Sequence, residues 1–194
     1  MEMKITEYKN LLKSRLKEKR YYHSLCVADE AKRLALKYGA DPDKAYLAGL
    51  LHDITKNSEE KEHFDLFSQY GVILSPIEKS SQKLWHAISG SLYVKNILKI
   101  DDEEIISAIR YHTTAKEDMS LFEKILYLAD FTSLDRDYTD VDIMRILVDV
   151  SLDKAMKYAL TYTIKELTDK GAAIHPDTIA AYNQIMLKEI QDDI

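Results

Sequence analysis

The sequence has few of the residues that build tight turns or covalent cross-links. Its 194 residues include five glycines, three prolines and one cysteine, Cys26. Scarce glycine and proline leave little material for hairpin turns, which disfavours a β-sandwich or a β-barrel. A single cysteine excludes a disulfide framework within the chain and fits a reducing cytoplasm, where we expect Cys26 to be a small buried hydrophobe.

Long apolar segments and an excess of positive charge are also missing. The longest apolar run, residues 45–51, is far shorter than the roughly 20 residues of a membrane-spanning helix, and the first ten residues lack the apolar core of a signal peptide. The net charge of −6 argues against a general nucleic-acid binder, which needs a basic face to displace counterions from phosphates. We expect a cytoplasmic protein that binds no membrane and no nucleic acid. A small phosphorylated ligand needs only a few local cations and stays compatible.

The composition that is present predicts helices. A hydrophobic fraction of 46% in a chain of this length fits one folded domain. Apolar residues recur at helical spacing in almost every segment, and no run alternates as a strand would. Signals that start or end helices flank these segments: Asp41-Pro42, Ser75-Pro76, Ser120 with Glu123, Pro176, Gly39, Gly71 and Gly171. We predict a single all-α domain over residues 1–194, with roughly ten helices.

Histidine and aspartate carry the strongest chemical signal. The pair His52-Asp53 follows the apolar run 45–51, and Asp130 follows a second apolar run, 125–129. Imidazole and carboxylate groups in such surroundings are costly to bury unless they are paired or hold a cation. A mixed histidine and carboxylate set accepts a divalent metal such as iron, manganese, zinc or cobalt.

Cationic and hydroxyl side chains accompany these groups along the chain. Arg20 lies near His23, and Lys56 lies three residues after Asp53. Thr113 and Thr114 follow His112, and Arg136 lies six residues after Asp130. A bound metal lowers the pKa of a coordinated water and neutralises a substrate oxygen, and basic groups beside it bind phosphate. The interleaving of the two sets predicts phosphoryl transfer or phosphoester hydrolysis.

The order His23, His52-Asp53 and Asp130 resembles the H…HD…D signature of the HD-domain metal-dependent phosphohydrolases. Over residues 20–183 the chain is similar to bacterial YqeK-type symmetrical bis(5′-nucleosyl)-tetraphosphatases. The blocks that carry this similarity are HSLCVADEAKRLA, AYLAGLLHDITK, LWHAISGSLYV, AIRYHTTA, KILYLADF and AIHPDTIAAYN. The resemblance implies a single HD-domain helical bundle that hydrolyses diadenosine tetraphosphate to two ADP.

The same resemblance implies a role for each site residue. The implied metal ligands are His23, His52, Asp53 and Asp130, with iron expected first and manganese, cobalt or zinc as alternatives. The implied catalytic residues are Asp53, Lys56, His86 and His112. The implied substrate-binding residues are Lys56, His86, His112, Thr113 and Arg136, and we add Arg20 because it lies close to His23 in the sequence. His86 and His112 match positions at which members of this family contact the nucleotide phosphates or a second metal. The resemblance therefore allows one or two bound metals.

Two positions depart from the family pattern, and they leave alternatives open. Ala115 stands where the family usually has glycine, and residues 132–135 replace a usual Glu-Pro. The alternatives are an HD phosphohydrolase for another nucleotide and a catalytically inactive nucleotide-binding HD module. The sequence is compatible with a homodimer but does not fix the oligomeric state. Of the remaining histidines, we expect His63 on the surface and His175 in a structural role.

Overall fold

The computed structural model describes residues 2–192, and this part of the chain forms eleven α-helices and no strand. The helices are α1 (Glu2–Arg15), α2 (Glu18–Tyr38), α3 (Pro42–Leu51), α4 (Glu60–Gln69), α5 (Pro76–Ser80), α6 (Gln82–Asn96), α7 (Glu103–Tyr111), α8 (Leu121–Thr132), α9 (Val141–Val150), α10 (Leu152–Asp169) and α11 (Pro176–Asp192). The predicted all-α fold is confirmed. None of these helices combines the length and apolarity needed to cross a membrane.

Helix boundaries follow the capping residues in the sequence. Asp41 accepts hydrogen bonds from the backbone N–H groups two and three residues later, at the start of α3. Ser75 and Ser120 each form a full capping box with the glutamate three residues on. Gly39 ends α2 with a φ of 79°, a left-handed conformation that a residue without a side chain adopts freely. The extended backbone of Ser81 divides the region after Ser75 into α5 and α6.

The centre of the fold is a close crossing of α2 and α3. A Cβ atom on Gly49 of α3 would lie 2.7 Å from Cα of Ala28 and 2.9 Å from the carbonyl oxygen of Val27, both on α2. Only a glycine allows the two backbones to come this near. Because α2 also packs against α8, the start of α2, the end of α3 and the end of α8 meet in one place.

The main apolar core fills the space between these helices. Its largest fully buried side chains include Leu34, Leu50, Ile109 and Tyr127. Cys26 is buried as well, as its sequence setting predicts. A second, smaller cluster around Phe67 and Trp85 joins α4 to α6.

Candidate metal and phosphate site

The four predicted metal ligands come from α2, α3 and α8. His23 lies in the second turn of α2, and His52 ends α3, with Asp53 in the turn that follows. Asp130 lies near the end of α8, where its side chain is 18% exposed. The other three residues are almost completely buried. Residues far apart in the sequence are thus brought together at the crossing of the three helices.

Their ligand atoms face one another at short distances. Nε2 of His23 lies 2.9 Å from Oδ1 of Asp130, and Nε2 of His52 lies 3.4 Å from Oδ2 of Asp53 and 4.0 Å from Oδ1 of Asp130. His23, His52 and Asp130 each offer one atom within 4.8 Å of the others. His52 and Asp53 form a second such group with His112, so the two groups share His52.

Backbone carbonyls fix which nitrogen of two histidines faces the site. Nδ1 of His52 lies 2.6 Å from the carbonyl oxygen of Gly49, and Nδ1 of His112 lies 2.7 Å from that of Ile109. A carbonyl oxygen only accepts hydrogen bonds, so Nδ1 carries the proton in both rings. Nε2 of each ring is therefore the nitrogen that faces the cluster.

Several buried polar atoms in the cluster lack a hydrogen-bond partner within the described chain. They are Nε2 of His23, Nε2 of His52 and Oδ1 of Asp53. The contact of His23 with Asp130 is short but does not have hydrogen-bond geometry. Leaving a buried polar atom unsatisfied costs about 1–3 kcal/mol, and a divalent cation would satisfy all three atoms at once. The donor set of imidazole nitrogens and carboxylate oxygens fits such a cation.

Burial and neighbouring charges set the protonation states of the ligands. Burial lowers the pKa of His52, which keeps this ring neutral at neutral pH. Burial alone would raise the pKa of both carboxyl groups. The surrounding imidazoles hold the pKa of Asp53 well below its usual range, and the Arg136 guanidinium does the same for the pKa of Asp130. The cluster therefore presents two carboxylates and a neutral imidazole.

Three cations contact the carboxylates and also face the solvent. Arg20 donates to Oδ2 of Asp53 at 2.8 Å, and Nζ of Lys56 lies 3.9 Å from Oδ1 of the same residue. Arg136 donates to the backbone carbonyl of Asp130 at 2.6 Å and also to its carboxylate. The three side chains are 31%, 28% and 33% exposed, and Arg20 and Lys56 line the cleft described below, whereas Arg136 lies outside its lining.

His86, His112 and Thr113 complete the predicted set. Nε2 of His86 lies 3.1 Å from both Oδ1 of Asp53 and Nε2 of His112, and 3.0 Å from Nζ of Lys56. Burial lowers the pKa of His86 to about 3, so its ring is neutral. The hydroxyl of Thr113 is buried without a partner in the described part of the chain. It is free to bind a ligand atom.

A cleft of about 940 Å³ opens onto the cluster. Most of the predicted residues line it: Arg20, Lys56, His86, His112, Thr113 and Asp130. The lining continues along residues 77–84 and 163–173, where Lys83 adds positive charge and Lys170 is paired with Glu166. The volume lies at the upper end of the range for small-molecule sites, and the cations suit a large, highly charged anion.

Ala115, one of the two departures noted in the sequence, has a backbone conformation that glycine adopts more readily. Ala115 is buried and has a φ of 58°, which lies in the left-handed region that glycine adopts without strain. Alanine takes the same conformation at a cost of about 1–2 kcal/mol.

Asp135 is a site residue that the sequence argument did not identify. Its Oδ2 lies 2.8 Å from Nδ1 of His23, on the side of the ring away from Asp130. Burial alone would lower the pKa of His23, but the carboxylates of Asp130 and Asp135 outweigh it and raise this pKa. Local sequence gave no signal for this contact, because it joins the loop after α8 to the start of α2.

The expectation that His63 lies on the surface is wrong. Its side chain is buried, and its Nδ1 lies 2.7 Å from Oγ of Ser89, which in turn lies 2.8 Å from Oγ1 of Thr55. The charged residues around His63 suggested exposure, yet His63, Leu66 and Phe67 share the spacing of one helix face. That face of α4 packs on α6, and the i, i+3, i+4 spacing was the signal that could have placed His63 correctly.

A family model and several relatives indicate the same type of protein. A model of the HD domain matches residues 20–135. A symmetrical bis(5′-nucleosyl)-tetraphosphatase from Halalkalibacterium halodurans is 38% identical over 183 residues, which cover 92% of this chain and 95% of the relative. An enzyme of the same name from Bacillus subtilis is 33% identical over 175 residues, 90% of this chain and 94% of the relative.

A solved structure agrees with the fold. It is a crystal structure described as a predicted HD superfamily hydrolase involved in NAD metabolism, from Clostridium acetobutylicum. It matches with a TM-score of 0.92 and 37% identity, and the match covers 95% of this chain and 97% of that one. The similarity extends over the helices that carry the site as well as the surrounding ones.

Proposed function

This chain belongs to the HD domain family, and we propose that it is a hydrolase that cleaves diadenosine tetraphosphate symmetrically into two ADP. The observation that carries the proposal is the buried cluster of imidazole and carboxylate groups, with unsatisfied ligand atoms, at the base of a cationic cleft. Relatives named symmetrical bis(5′-nucleosyl)-tetraphosphatase, at 33–38% identity over 90% or more of this chain, support the same activity.

We assign a divalent metal to His23, His52, Asp53 and Asp130, with iron as the first candidate and manganese, cobalt or zinc as alternatives. When bound, the metal supplies a Lewis acid that lowers the pKa of a water and polarises a phosphate oxygen. The chain fixes the ligands in advance. The carbonyl of Gly49 orients His52, and the guanidinium of Arg20 holds Asp53.

The remaining site residues bind the tetraphosphate and neutralise its charge. Lys56 and Arg136 lie beside the two ligand carboxylates, and His86 and His112 form the adjoining wall. The hydroxyl of Thr113 and the guanidinium of Arg20 supply further donors to phosphate oxygens.

Hydrolysis adds a water to one inner phosphorus and breaks the bond from that phosphorus to the central bridging oxygen. The leaving group is a nucleoside diphosphate, which is already stable as an anion. Fixed cations therefore suffice to stabilise the transition state, and no strong general acid is required. Lys56, His86, His112 and Asp53 are the catalytic residues in this scheme because they lie next to the place where the reacting phosphate would bind.

Product analysis tests the proposal. The protein is loaded with Fe²⁺, Mn²⁺ or Co²⁺ and incubated with diadenosine tetraphosphate in ¹⁸O-labelled water, and the nucleotides are separated by chromatography. We expect ADP as the sole product, with one ¹⁸O atom in half of the molecules. AMP and ATP in equal amounts would mean asymmetric cleavage and would refute the assignment.

Two further outcomes point to the alternatives from the sequence. Turnover of a nucleoside monophosphate or another nucleotide, without turnover of the tetraphosphate, indicates a different HD phosphohydrolase. Binding of the tetraphosphate without hydrolysis by any metal-loaded form indicates an inactive nucleotide-binding module. His52→Ala is the matched control for the active case, since it removes one ligand and should abolish product formation.

We also propose that residues 1–194 act as one HD-type domain in the cytoplasm. Its partners would be the small nucleotide substrate and the ADP product, with neither a nucleic acid nor a membrane. A homodimer stays a prediction, which light scattering on the purified protein tests.

A further inference from the structure

We propose that Asp135 is a positioning residue that orients His23 and strengthens its bond to the metal. The inference rests on the proposed function, because it takes His23 as a ligand of the metal assigned there. Its basis is the contact of 2.8 Å between Oδ2 of Asp135 and Nδ1 of His23, on the side of the ring opposite Asp130.

The contact decides which nitrogen of His23 is available to a metal. A carboxylate only accepts hydrogen bonds, so Nδ1 of His23 must donate to Asp135. The lone pair of the ring is then on Nε2, which faces Asp130 and His52. A histidine that donates its second N–H to a carboxylate is also held in orientation and is a more basic ligand.

His23 differs in this respect from the other imidazoles of the cluster. His52 and His112 donate their Nδ1–H groups to backbone carbonyls of the helices that they end. Carbonyls of this kind exist at every helix end, whereas the partner of His23 is a side chain from another part of the chain. A single substitution can therefore remove the partner of His23 alone.

The loop after α8 holds Asp135 in place. Oγ of Ser133 donates to Oδ1 of Asp135 at 2.8 Å, and the backbone N–H of Arg136 donates to the carbonyl of Ser133 at 3.0 Å. The guanidinium of Arg136 in turn donates hydrogen bonds to the backbone carbonyl and the carboxylate of Asp130. One short segment thus places a carboxylate on each side of the His23 ring. It is also the segment that departs from the family pattern.

The test measures metal affinity in the absence of substrate. Mn²⁺ is titrated into the metal-free wild-type protein and the variants Asp135→Ala and Asp135→Asn, and free Mn²⁺ is followed by electron paramagnetic resonance. Loss of an orienting carboxylate typically weakens a metal site about 10–100-fold, and we expect a loss of this size for Asp135→Ala. Asp135→Asn should lose less, because its amide oxygen still accepts from Nδ1 but carries no charge.

Two controls separate orientation of His23 from general support of the loop. Ser133→Ala removes the hydrogen bond that holds Asp135 but leaves its contact with His23, and Asp137→Ala removes an exposed carboxylate two residues further on. Asp137→Ala should keep the wild-type affinity for Mn²⁺, and Ser133→Ala should weaken it less than Asp135→Ala does, because Asp135 then keeps its contact with His23. If Asp137→Ala weakens binding as much as Asp135→Ala, the loss reflects general damage to the loop and the proposal is wrong.

A spectroscopic signature tests the orientation directly. In Zn²⁺-loaded protein with ¹⁵N-labelled histidine, two-bond ¹H–¹⁵N correlations should place the remaining ring proton of His23 on Nδ1. A proton on Nε2, or wild-type Mn²⁺ affinity in Asp135→Ala, would overturn the proposal.

The experiment also distinguishes this inference from the proposed function. If the wild-type protein binds Mn²⁺ and Asp135→Ala weakens that binding, the inference holds even when diadenosine tetraphosphate is not hydrolysed. If the wild-type protein hydrolyses the tetraphosphate while Asp135→Ala keeps full affinity, only the inference fails. A wild-type protein that binds no metal contradicts both.

Discussion

In three histidines of the site, the group that contacts Nδ1 determines that Nε2 faces the cluster. Backbone carbonyls perform this role for His52 and His112, and the Asp135 carboxylate performs it for His23. The difference changes the charge on the rings. Burial lowers the pKa of His52, whereas two flanking carboxylates outweigh burial and raise the pKa of His23. A proton therefore competes with the metal at His23 in the metal-free protein.

Metal binding should release a proton from His23, and the amount released should fall as pH rises. The raised pKa means that His23 stays protonated to a higher pH than a free imidazole, and metal binding requires its lone pair. Apparent metal affinity should thus increase as pH rises through this pKa, in a pH window above the ordinary value for an imidazole. His52 and His86 contribute no proton, because the pKa of each is lowered.

Calorimetry in two buffers with different enthalpies of ionisation measures the released protons. Asp135→Ala is the matched variant, since it removes one of the carboxylates that raise the pKa of His23. Its proton release should shift to lower pH. An affinity for Mn²⁺ that is independent of pH over the same window would contradict the prediction.

Asp130 and Arg136 should separate metal binding from substrate binding. Asp130→Ala removes a ligand and should lose metal and activity together. Arg136→Ala leaves all four ligands in place, so it should keep its metal but lose contact with the phosphates. A hydrogen bond to a charged group contributes about 1.5–3 kcal/mol, so kcat/KM should fall by about 10–150-fold.

Steady-state kinetics and metal analysis on the same preparations check both variants. Arg136→Lys should recover only part of the activity, because lysine keeps the charge but not the two-pronged donor geometry. The contact of the guanidinium with the Asp130 carboxylate already places Arg136 at the site. Wild-type kinetics in Arg136→Ala would mean that this contact is all that Arg136 provides.

At the scale of elements, the site depends on how closely α2 and α3 approach. His23 belongs to α2 and His52 ends α3, so the distance between these ligands follows the distance between the helices. Gly49 sets that distance, because any side chain there would overlap the backbone of α2. Gly90 of α6 faces the turn that follows α3. A Cβ atom on Gly90 would make ordinary van der Waals contacts of 3.5 Å or more.

The two glycines form a matched pair for mutation. Gly49→Ala should force α3 away from α2, and such overpacking costs about 1–3 kcal/mol of the free energy of unfolding. It should also weaken Mn²⁺ binding. Gly90→Ala should keep the metal and gain up to about 1 kcal/mol from the higher helix propensity of alanine.

Urea denaturation of the metal-free proteins measures the stability changes, and Mn²⁺ titration measures the affinities. Equal stability of Gly49→Ala and wild type would show that the helices can separate without cost. Loss of metal by Gly90→Ala would show that the turn after α3 is less tolerant than its contacts indicate.

At the scale of the whole molecule, the chain is acidic but carries several cations in the cleft where the substrate would bind. The net charge is −6, yet Arg20, Lys56, Lys83 and Lys170 line one cleft. The cluster below the cleft connects α2, α3 and α8, which are also central to the core. A metal in this position would therefore link function to global stability.

Removal of the metal should lower the melting temperature. A ligand present at 100 times its Kd stabilises the folded state by about 2.7 kcal/mol, and 1 kcal/mol shifts the Tm of a domain of this size by about 2–4 °C. Chelation should thus lower the Tm of the metal-loaded protein by about 5–11 °C. Scanning calorimetry with and without chelator measures the shift. Asp130→Ala is the control and should not respond, while an unchanged wild-type Tm would contradict a metal held by the folded site.

The sequence by itself determined the helices and the main chemical groups of the candidate site. Caps such as Asp41, Ser75 and Ser120 act within a few residues, so local sequence contains the information that places helix ends. The apolar runs before His52-Asp53 and Asp130 likewise indicated that these polar groups are buried. The family resemblance supplied the roles of the three residues.

Only the tertiary structure decided which side chains support those groups. Asp135 contacts His23 because the loop after α8 packs against the start of α2. His63 is buried because α4 lies on α6, although its sequence neighbours are charged. Both facts depend on contacts between segments far apart in the chain, and the spacing of residues within one segment does not specify which distant segment will cover it.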